Sequence, residues 1–275
     1  MIVAAAREAL GSATDALEAA GCETPRLDAE LLIADAIGVD RAALISDPDA
    51  DVDGAAARLI AERVRRRVAR EPVAYILGRR GFRRIDVAVD ARVLIPRPET
   101  ELLVEVALGL PEGASVHEVG TGSGAVALAL LDERPDLHVS ASDNSGAAID
   151  VARANATRLD LPLELDIAAG IPPEVSADLI VANMPYVRED EWPALVPEIS
   201  RYEPREALVA GPDGLDAIRA LVAGGEARTR VALEHAPVQA KAVRALLDGA
   251  ETHRDLAGHE RVTVGLVSAQ RPAGR

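Results

Sequence analysis

Residues 117–130 read HEVGTGSGAVALAL. An apolar run leads to Glu118, glycines follow at 120, 122 and 124, and Ala125 to Leu131 is then unbroken apolar sequence. Glycines in such a place let the backbone turn tightly and come close to a ligand, which a Cβ would prevent. A strand that ends in a glycine loop and opens a helix belongs to α/β domains that bind dinucleotides or nucleosides, although a tight turn without a ligand uses the same residues.

Spacing narrows the choice. Asp143 closes the next apolar segment, nineteen residues past Gly124. An acidic side chain there can accept hydrogen bonds from both ribose hydroxyls of a nucleoside cofactor, or it can simply cap the following helix. Dinucleotide sites favour Gly-x-Gly-x-x-Gly. Here the third glycine comes one residue earlier, as is usual where S-adenosylmethionine binds.

A second motif lies in DLIVANMPYV, residues 178–187. Its apolar strand ends at Asn183, followed by Met184, Pro185 and Tyr186. Ligands of open α/β sheets bind beyond the carboxyl ends of the strands, so Asn183 is expected to face the same crevice as the glycine loop and Asp143. Asn-x-Pro-Tyr also suits an ordinary turn. Its chemistry is that of an amide acceptor site. An amide nitrogen is a poor nucleophile, and it reacts with a methyl group only if it is held close and desolvated with its N–H bonds aimed at acceptors. The Asn183 side-chain oxygen and the backbone carbonyl of Met184 can be those acceptors, with Pro185 stiffening the turn and Tyr186 walling the slot.

From Ser115 onward, apolar strand-like runs alternate with helical patterns. The strands are expected at 116–119, 137–142, 163–167, 179–182, 230–233 and 261–267, and the helices at 125–133, 146–158, 214–223 and 238–247. That alternation builds a parallel sheet covered on both faces. Residues 1 to about 70 instead carry apolar residues at helical spacing, with Gly21, Gly38 and the acidic stretch 47–54 as turns. Residues 73–98 alternate Ile85, Val87 and Val89 with polar or small neighbours before Pro96 and Pro98, as a half-buried hairpin would. The expected division is a helical domain over 1–72, a hairpin linker over 73–98 and the α/β domain over 99–275, with a frayed tail at 269–275.

Composition limits the function. The 275 residues carry a formal charge of −15, which argues against a general binder of nucleic acid. The charge is uneven: Arg58 to Arg84 holds ten arginines against two glutamates, a balance of +8 that leaves −23 for the remainder. This run is either a solvated helix face followed by an exposed hairpin, or a docking surface for an acidic partner or for one already bound to RNA. A single cysteine, Cys22, excludes an internal disulfide and a cysteine metal cluster, and no metal is expected. No apolar run approaches the ~20 residues of a membrane span and no signal-peptide core is evident, so a cytoplasmic protein with no membrane partner is expected.

On these residues the chain resembles the release-factor glutamine methyltransferases of the HemK/PrmC type, nearly end to end. The family's linker signature is matched by Tyr75-Ile-Leu-Gly78, Phe82 and Ile95-Pro-Arg-Pro-Glu-Thr-Glu101. Its cofactor loop is matched by Glu118–Gly124 and its acidic ribose ligand by Asp143. Glu203-Pro204, Asp213-Gly214-Leu215 and Glu260-Arg-Val-Thr263 fit later landmarks. The resemblance implies a helical N-terminal domain that binds the protein substrate, joined through the hairpin to a seven-stranded, Rossmann-like methyltransferase domain. It implies methylation of the glutamine in the Gly-Gly-Gln tip of peptide chain release factors, with S-adenosylmethionine as cofactor. The cofactor contacts expected are Glu118, Gly120, Thr121, Gly122, Ser123, Gly124, Asp143, Asp166, Ile167 and Asn183. Asn183, Pro185 and Tyr186 are expected to be catalytic, and Asn183, Met184, Pro185 and Tyr186 to hold the substrate.

Two departures stand out. The family motif is Asn-Pro-Pro-Tyr, and Met184 replaces its first proline. A related set of glutamine methyltransferases with unassigned protein substrates also lacks that proline, so a ribosomal or other protein is the alternative substrate. The stretch Leu165-Asp166-Ile167 also lacks the aromatic that some relatives place beside the adenine. Two further readings compete: an adenine amino-methyltransferase, disfavoured by the charge and the scarcity of aromatics, and a binding protein that retains the pocket without turnover.

Overall fold

The computed structural model describes residues 2–268, so the tail expected to fray at 269–275 lies outside the described residues. The chain forms two compact units, residues 1–78 with 196–202, and residues 79–195 with 203–275.

The first unit is helical. Helices α1 (Ala6–Ala19), α2 (Pro25–Ile37), α3 (Arg41–Ser46), α4 (Gly54–Val68) and α5 (Val73–Leu77) follow in order, joined by α9 (Pro197–Tyr202) from later in the chain. Local sequence explains the boundaries. Pro25 opens α2, where its missing N–H costs nothing, and left-handed Gly38 closes it. Asp53 caps α4 by accepting from the backbone N–H groups of Ala55 and Ala56, each at 2.8 Å. Small and aliphatic residues, among them Leu10, Leu17, Ala29, Ile33, Leu44 and Ile60, fill the core. The acidic stretch expected to be only a turn also holds strand β2 (Asp51–Asp53), paired antiparallel with β1 (Ile2–Ala5).

Four arginines of the run are neutralised within this unit. Arg63 pairs with Asp35 and Arg66 with Glu71. Arg67 reaches both Asp28 and Glu198, and Arg70 also binds Glu198, every one of these contacts at 2.7 Å. Burial would raise the Glu198 carboxyl, but Arg70 and Arg67 outweigh it and hold the group at about 2. Arg58 and Arg65 are the helix arginines left facing solvent.

The second unit opens with a hairpin, β3 (Arg79–Phe82) and β4 (Ile85–Ala88), in which Phe82, Ile85 and Val87 turn inward. After α6 (Glu101–Leu108) comes a seven-stranded sheet. Its strands are β5 (Ser115–Val119), β6 (His138–Asp143), β7 (Glu164–Ile167), β8 (Leu179–Ala182), β9 (Arg230–Glu234), β10 (Leu247–Arg254) and β11 (Glu260–Val267). The order is β10-β11-β9-β8-β5-β6-β7. Helices α7 (Ala125–Glu133), α8 (Gly146–Leu159), α10 (Asp216–Gly224) and α11 (Ala240–Arg244) complete the unit.

Two expectations are corrected. The sheet is mixed, because β11 runs antiparallel to both β9 and β10. The helix expected over 238–247 is a short 3-10 turn and α11, after which 247–254 is an edge strand. An edge strand is paired on one side only, and two register shifts break its alternation, so its polar sequence LDGAETHR carries little strand signal.

Strands β7, β6, β5, β8 and β9 are mutually parallel, and the order reverses direction at β5. That reversal opens a crevice at the carboxyl ends of the strands. Val119 pairs with Ser142 and with Ala182, and Ala182 pairs with Leu233. The next residue of each strand therefore falls in one row across the crevice: Asp143, Gly120, Asn183 and Glu234.

Candidate active site

A cavity of about 570 Å³ lies over this row, entirely within the second unit. Gly120, Gly122, Asp143, Ser145, Asn183, Met184 and Pro185 line it, with Ala168–Gly170 at one side and Ala217, Ala220 and Leu221 of α10 at another.

Gly120, Gly122 and Gly124 all have left-handed φ, at +74°, +55° and +82°. A Cβ on Gly124 would meet Leu128 at 3.0 Å and Ala152 at 3.3 Å, so its absence lets α7 and α8 close on the loop. Around the position of a Cβ on Gly122 nothing among the described residues stands within 4 Å. That open space beside exposed backbone is the cradle a nucleoside cofactor needs. Asn155, fully buried on α8, braces the loop by donating to the Ser123 carbonyl, and it also clamps Ala88 of the hairpin in both directions.

Asp143 accepts from the Gly122 N–H through Oδ2 and from the Ser145 N–H through Oδ1, each at 2.9 Å. Both oxygens retain acceptor capacity on the cavity side. Glu118 is placed differently. It is buried beneath the loop, where one oxygen accepts from the Thr121 hydroxyl at 2.7 Å and the Ala127 N–H at 3.0 Å. Burial pushes its carboxyl up to about 8. The geometry makes it a brace between the loop and the start of α7. Thr121 and Ser123 are likewise buried. Asp166 and Ile167 close β7 and face solvent, Ile167 with 67% of its surface exposed, just before the cavity-lining Ala168.

Asn183 follows β8, and its Nδ2 donates to the Thr100 hydroxyl at 2.9 Å. The side-chain oxygen is thereby left as the acceptor. The Met184 side chain packs against the core cluster of Leu215, Ile218 and Leu221, its sulfur 3.6 Å from where a Cβ on Gly120 would stand. Tyr186 donates its hydroxyl to Glu234 at 3.3 Å, and burial followed by Glu234 raises its phenol above the usual range. The Tyr186 carbonyl accepts from Gln239, whose Nε2 also reaches the Asp213 carbonyl. Gly214 lets this crossing close, since a Cβ there would sit 2.2 Å from the Tyr186 oxygen.

The structure thus brings Gly120, Gly122, Asp143, Asn183, Met184 and Pro185 to one cavity, with Tyr186 behind it. Thr100 and Glu234 were absent from the residues expected in the site. The available signal for Glu234 was an acidic residue closing the apolar run RVALE, just as Asp143 closes its own strand.

Profiles of the PrmC N-terminal domain and of the methyltransferase small domain match residues 8–78 and 98–201. The release factor glutamine methyltransferase of Xylella fastidiosa strain Temecula1 is 43% identical over 272 residues, spanning 93% of this chain and 96% of the relative. The chain belongs to the release factor glutamine methyltransferase family. Other members agree over most or nearly all of the length. The Cereibacter sphaeroides enzyme is 42% identical over 98% of this chain and 99% of its own. That of Mycolicibacterium smegmatis is 42% identical over 79% and 78%. Membership makes the chain an S-adenosylmethionine-dependent methyltransferase, and the open cradle at Gly122 beside Asp143 fits that cofactor.

Proposed function

We propose that this protein transfers a methyl group to the side-chain amide nitrogen of a glutamine in a peptide chain release factor, the glutamine of its Gly-Gly-Gln tip. The observation that carries the reading is the fixed Asn183 amide: with Nδ2 engaged by Thr100, Oδ1 is an oriented acceptor at the cavity wall.

The cradle of Gly120, Gly122 and Asp143 would hold S-adenosylmethionine, which when bound supplies an electrophilic methyl on a sulfonium. Asp143 would take the ribose hydroxyls, Glu118, Thr121, Ser123 and Gly124 would shape the loop, and Asp166 and Ile167 would edge the adenine. Asn183 Oδ1 and the Met184 carbonyl accept the two N–H bonds of the substrate amide, which turns its lone pair toward the methyl. Pro185 stiffens the turn, and Tyr186, pinned by Glu234 and Gln239, walls the slot. Residues 1–72 serve recognition, 73–98 link and 99–275 carry the transfer. Docking of the release factor involves the Arg58–Arg84 region through Arg58 and Arg65, which ion pairs among the described residues leave available. A cytoplasmic location belongs to the same reading. Among the described residues no helix is long and apolar enough to cross a membrane.

Incubation with methyl-labelled cofactor and purified release factor, followed by mapping of the label, tests the proposal. Label on the Gly-Gly-Gln glutamine is expected. Label on other residues, or none, overturns it, and label on a ribosomal protein in a parallel incubation with ribosomes would then mark the alternative substrate.

A further inference from the structure

Of the four residues in the strand-end row, Glu234 is the one that lies off the cavity. It is wholly buried, and a buried carboxylate is costly unless its hydrogen bonds are made. Those of Glu234 are incomplete. Oε1 accepts from Tyr186, whereas Oε2 has no partner at hydrogen-bond geometry among the described residues. Glu118 offers a contrast, since one of its oxygens receives both a hydroxyl and a backbone N–H. An unsatisfied buried group in a native core asks for a role other than packing.

Thr100 indicates that role. Its oxygen already accepts from Asn183 Nδ2, so its own hydrogen needs a different acceptor. The Glu234 carboxylate adjoins it, and the Thr100 and Tyr186 hydroxyls both steady the charge on that carboxylate. We infer that Glu234 is a positioning residue for methyl transfer, acting on the reacting amide through the Thr100 hydroxyl and the Asn183 side chain. The inference rests on the proposed function for its substrate.

The direction of polarisation is fixed. An anionic Glu234 orients Thr100 O–H toward itself, which strengthens Thr100 as acceptor for Asn183 N–H. A donating amide N–H in turn leaves more charge on its own carbonyl oxygen, and hydrogen-bond chains of low dielectric reinforce one another in this way. Asn183 Oδ1 thereby becomes a better acceptor for the substrate N–H, and the Asn183 amide cannot flip without losing Thr100. The same carboxylate holds the Tyr186 ring.

The groups facing Glu234 are Tyr186 after β8, Thr100 and Glu99 before α6, and Arg261 on β11, with His235 beside it in the chain kept neutral by burial. Burial raises its carboxyl to about 7, against Thr100, Tyr186 and Arg261 and with Glu99. The anion therefore forms as pH rises through about 7, and turnover should rise over the same range.

The test combines kinetics with a readout that needs no substrate. Glu234→Gln should leave cofactor affinity and KM within about twofold while cutting kcat about tenfold or more, and should flatten the rise of kcat with pH. Thr100→Val should reproduce the loss and Thr100→Ser should restore it. In the wild-type protein, the NMR signal of the Asn183 side-chain amide should titrate with a midpoint near 7, and it should stop titrating in Glu234→Gln. Unchanged kcat and pH profile in both Glu234→Gln and Thr100→Val would overturn the inference. So would an Asn183 signal that ignores pH in the wild type, whether or not any variant folds. Wild-type protein that fails to label release factor sinks the proposed function instead, and the titration still decides the inference.

Discussion

Asp143→Ala separates cofactor recognition from loop architecture. The carboxylate has about four acceptor positions. The Gly122 and Ser145 N–H groups occupy two, each at 2.9 Å, and two remain for the vicinal hydroxyls of a ribose. A hydrogen bond to a charged group contributes ~1.5–3 kcal/mol. One such bond sets a floor of about tenfold in affinity; two at the lower value, ~3 kcal/mol, give about 150-fold. Calorimetry with S-adenosylmethionine should therefore show weakening by about 10- to 150-fold. The substitution also strips an acceptor from two backbone N–H groups, so some of the loss could come from a disordered loop. An analogue lacking both ribose hydroxyls resolves this. It should bind the wild type about as weakly as S-adenosylmethionine binds the variant, and it should be nearly indifferent to the substitution. Asp143→Asn should not rescue binding, because its NH2 must face one of the two backbone donors. A dissociation constant within about twofold of wild type would refute the reasoning, and so would equal losses for cofactor and analogue.

Asn183→Ala should keep cofactor affinity nearly intact and lower kcat on release factor by ~10²–10³; turnover above about a tenth of wild type would remove the amide-orienting role. Met184→Pro keeps the acceptor carbonyl but deletes a side chain packed against the core cluster that includes Leu215, Ile218 and Leu221. Activity should survive while urea denaturation shows about 1–2 kcal/mol less stability, toward the low end for a half-buried methionine; lost activity in a stable variant would mean a differently shaped slot. Arg67→Ala should destabilise the protein by about 3 kcal/mol, because it strands Asp28 and part of Glu198. Charge reversal at Arg58 and Arg65, by contrast, should raise KM for release factor with little change in kcat or stability; if KM ignores both these changes and added salt, the run is a solvated face. Glu118→Gln tests the buried brace through pH. The folded carboxyl keeps its proton up to about 8, whereas the unfolded one loses it near 4.5, so wild-type stability from this group is full below 4.5 and declines toward 8. The urea midpoint of Glu118→Gln should lack that component of decline, and an identical pH profile would contradict the burial of a protonated Glu118.

The parts of the fold that were legible in the sequence are those whose signal is local. The glycine loop and α7 combine a special backbone conformation with an apolar run, and Ala125–Glu133 forms over the residues expected. Strands β5, β8 and β9 are buried along most of their length, so their apolar composition stands out. The elements missed draw their stability from distant partners. Strand β2 is three residues with only Val52 buried, and it exists because β1 pairs with it. Helix α9 is six residues long and is tied through Glu198 to arginines 128 and 131 positions earlier. The same distance explains the arginine run. A local count gives +8, but the neutralising acids lie elsewhere in the chain: Asp28 and Asp35 earlier, Glu105, Glu133 and Glu198 later. A charge window cannot distinguish a docking surface from one half of an ion-pair network.

The site divides along the same line. Gly120, Asp143 and Asn183 could be named because each marks a strand end with a residue type unusual for a strand, and Gly122 because it continues the glycine loop. Glu118 was legible as important yet not in its role. A sequence places it beside the glycine loop, but only the fold shows its carboxylate turned under the loop toward Ala127. Thr100 and Glu234 could not be tied to Asn183 because no window contains them with it: Thr100 lies 83 residues from it, and Glu234 reaches Tyr186 across 48. What joins them is register. With β5, β6, β8 and β9 parallel, the residue that ends each apolar run is carried to the same level of the crevice, so strand order decides which ends are neighbours. The sequence displays the ends but not the order. Once the order places β9 beside β8, the acid closing RVALE becomes the neighbour of the asparagine closing DLIVAN, and a residue that looked like an ordinary strand terminus joins the machinery behind the slot.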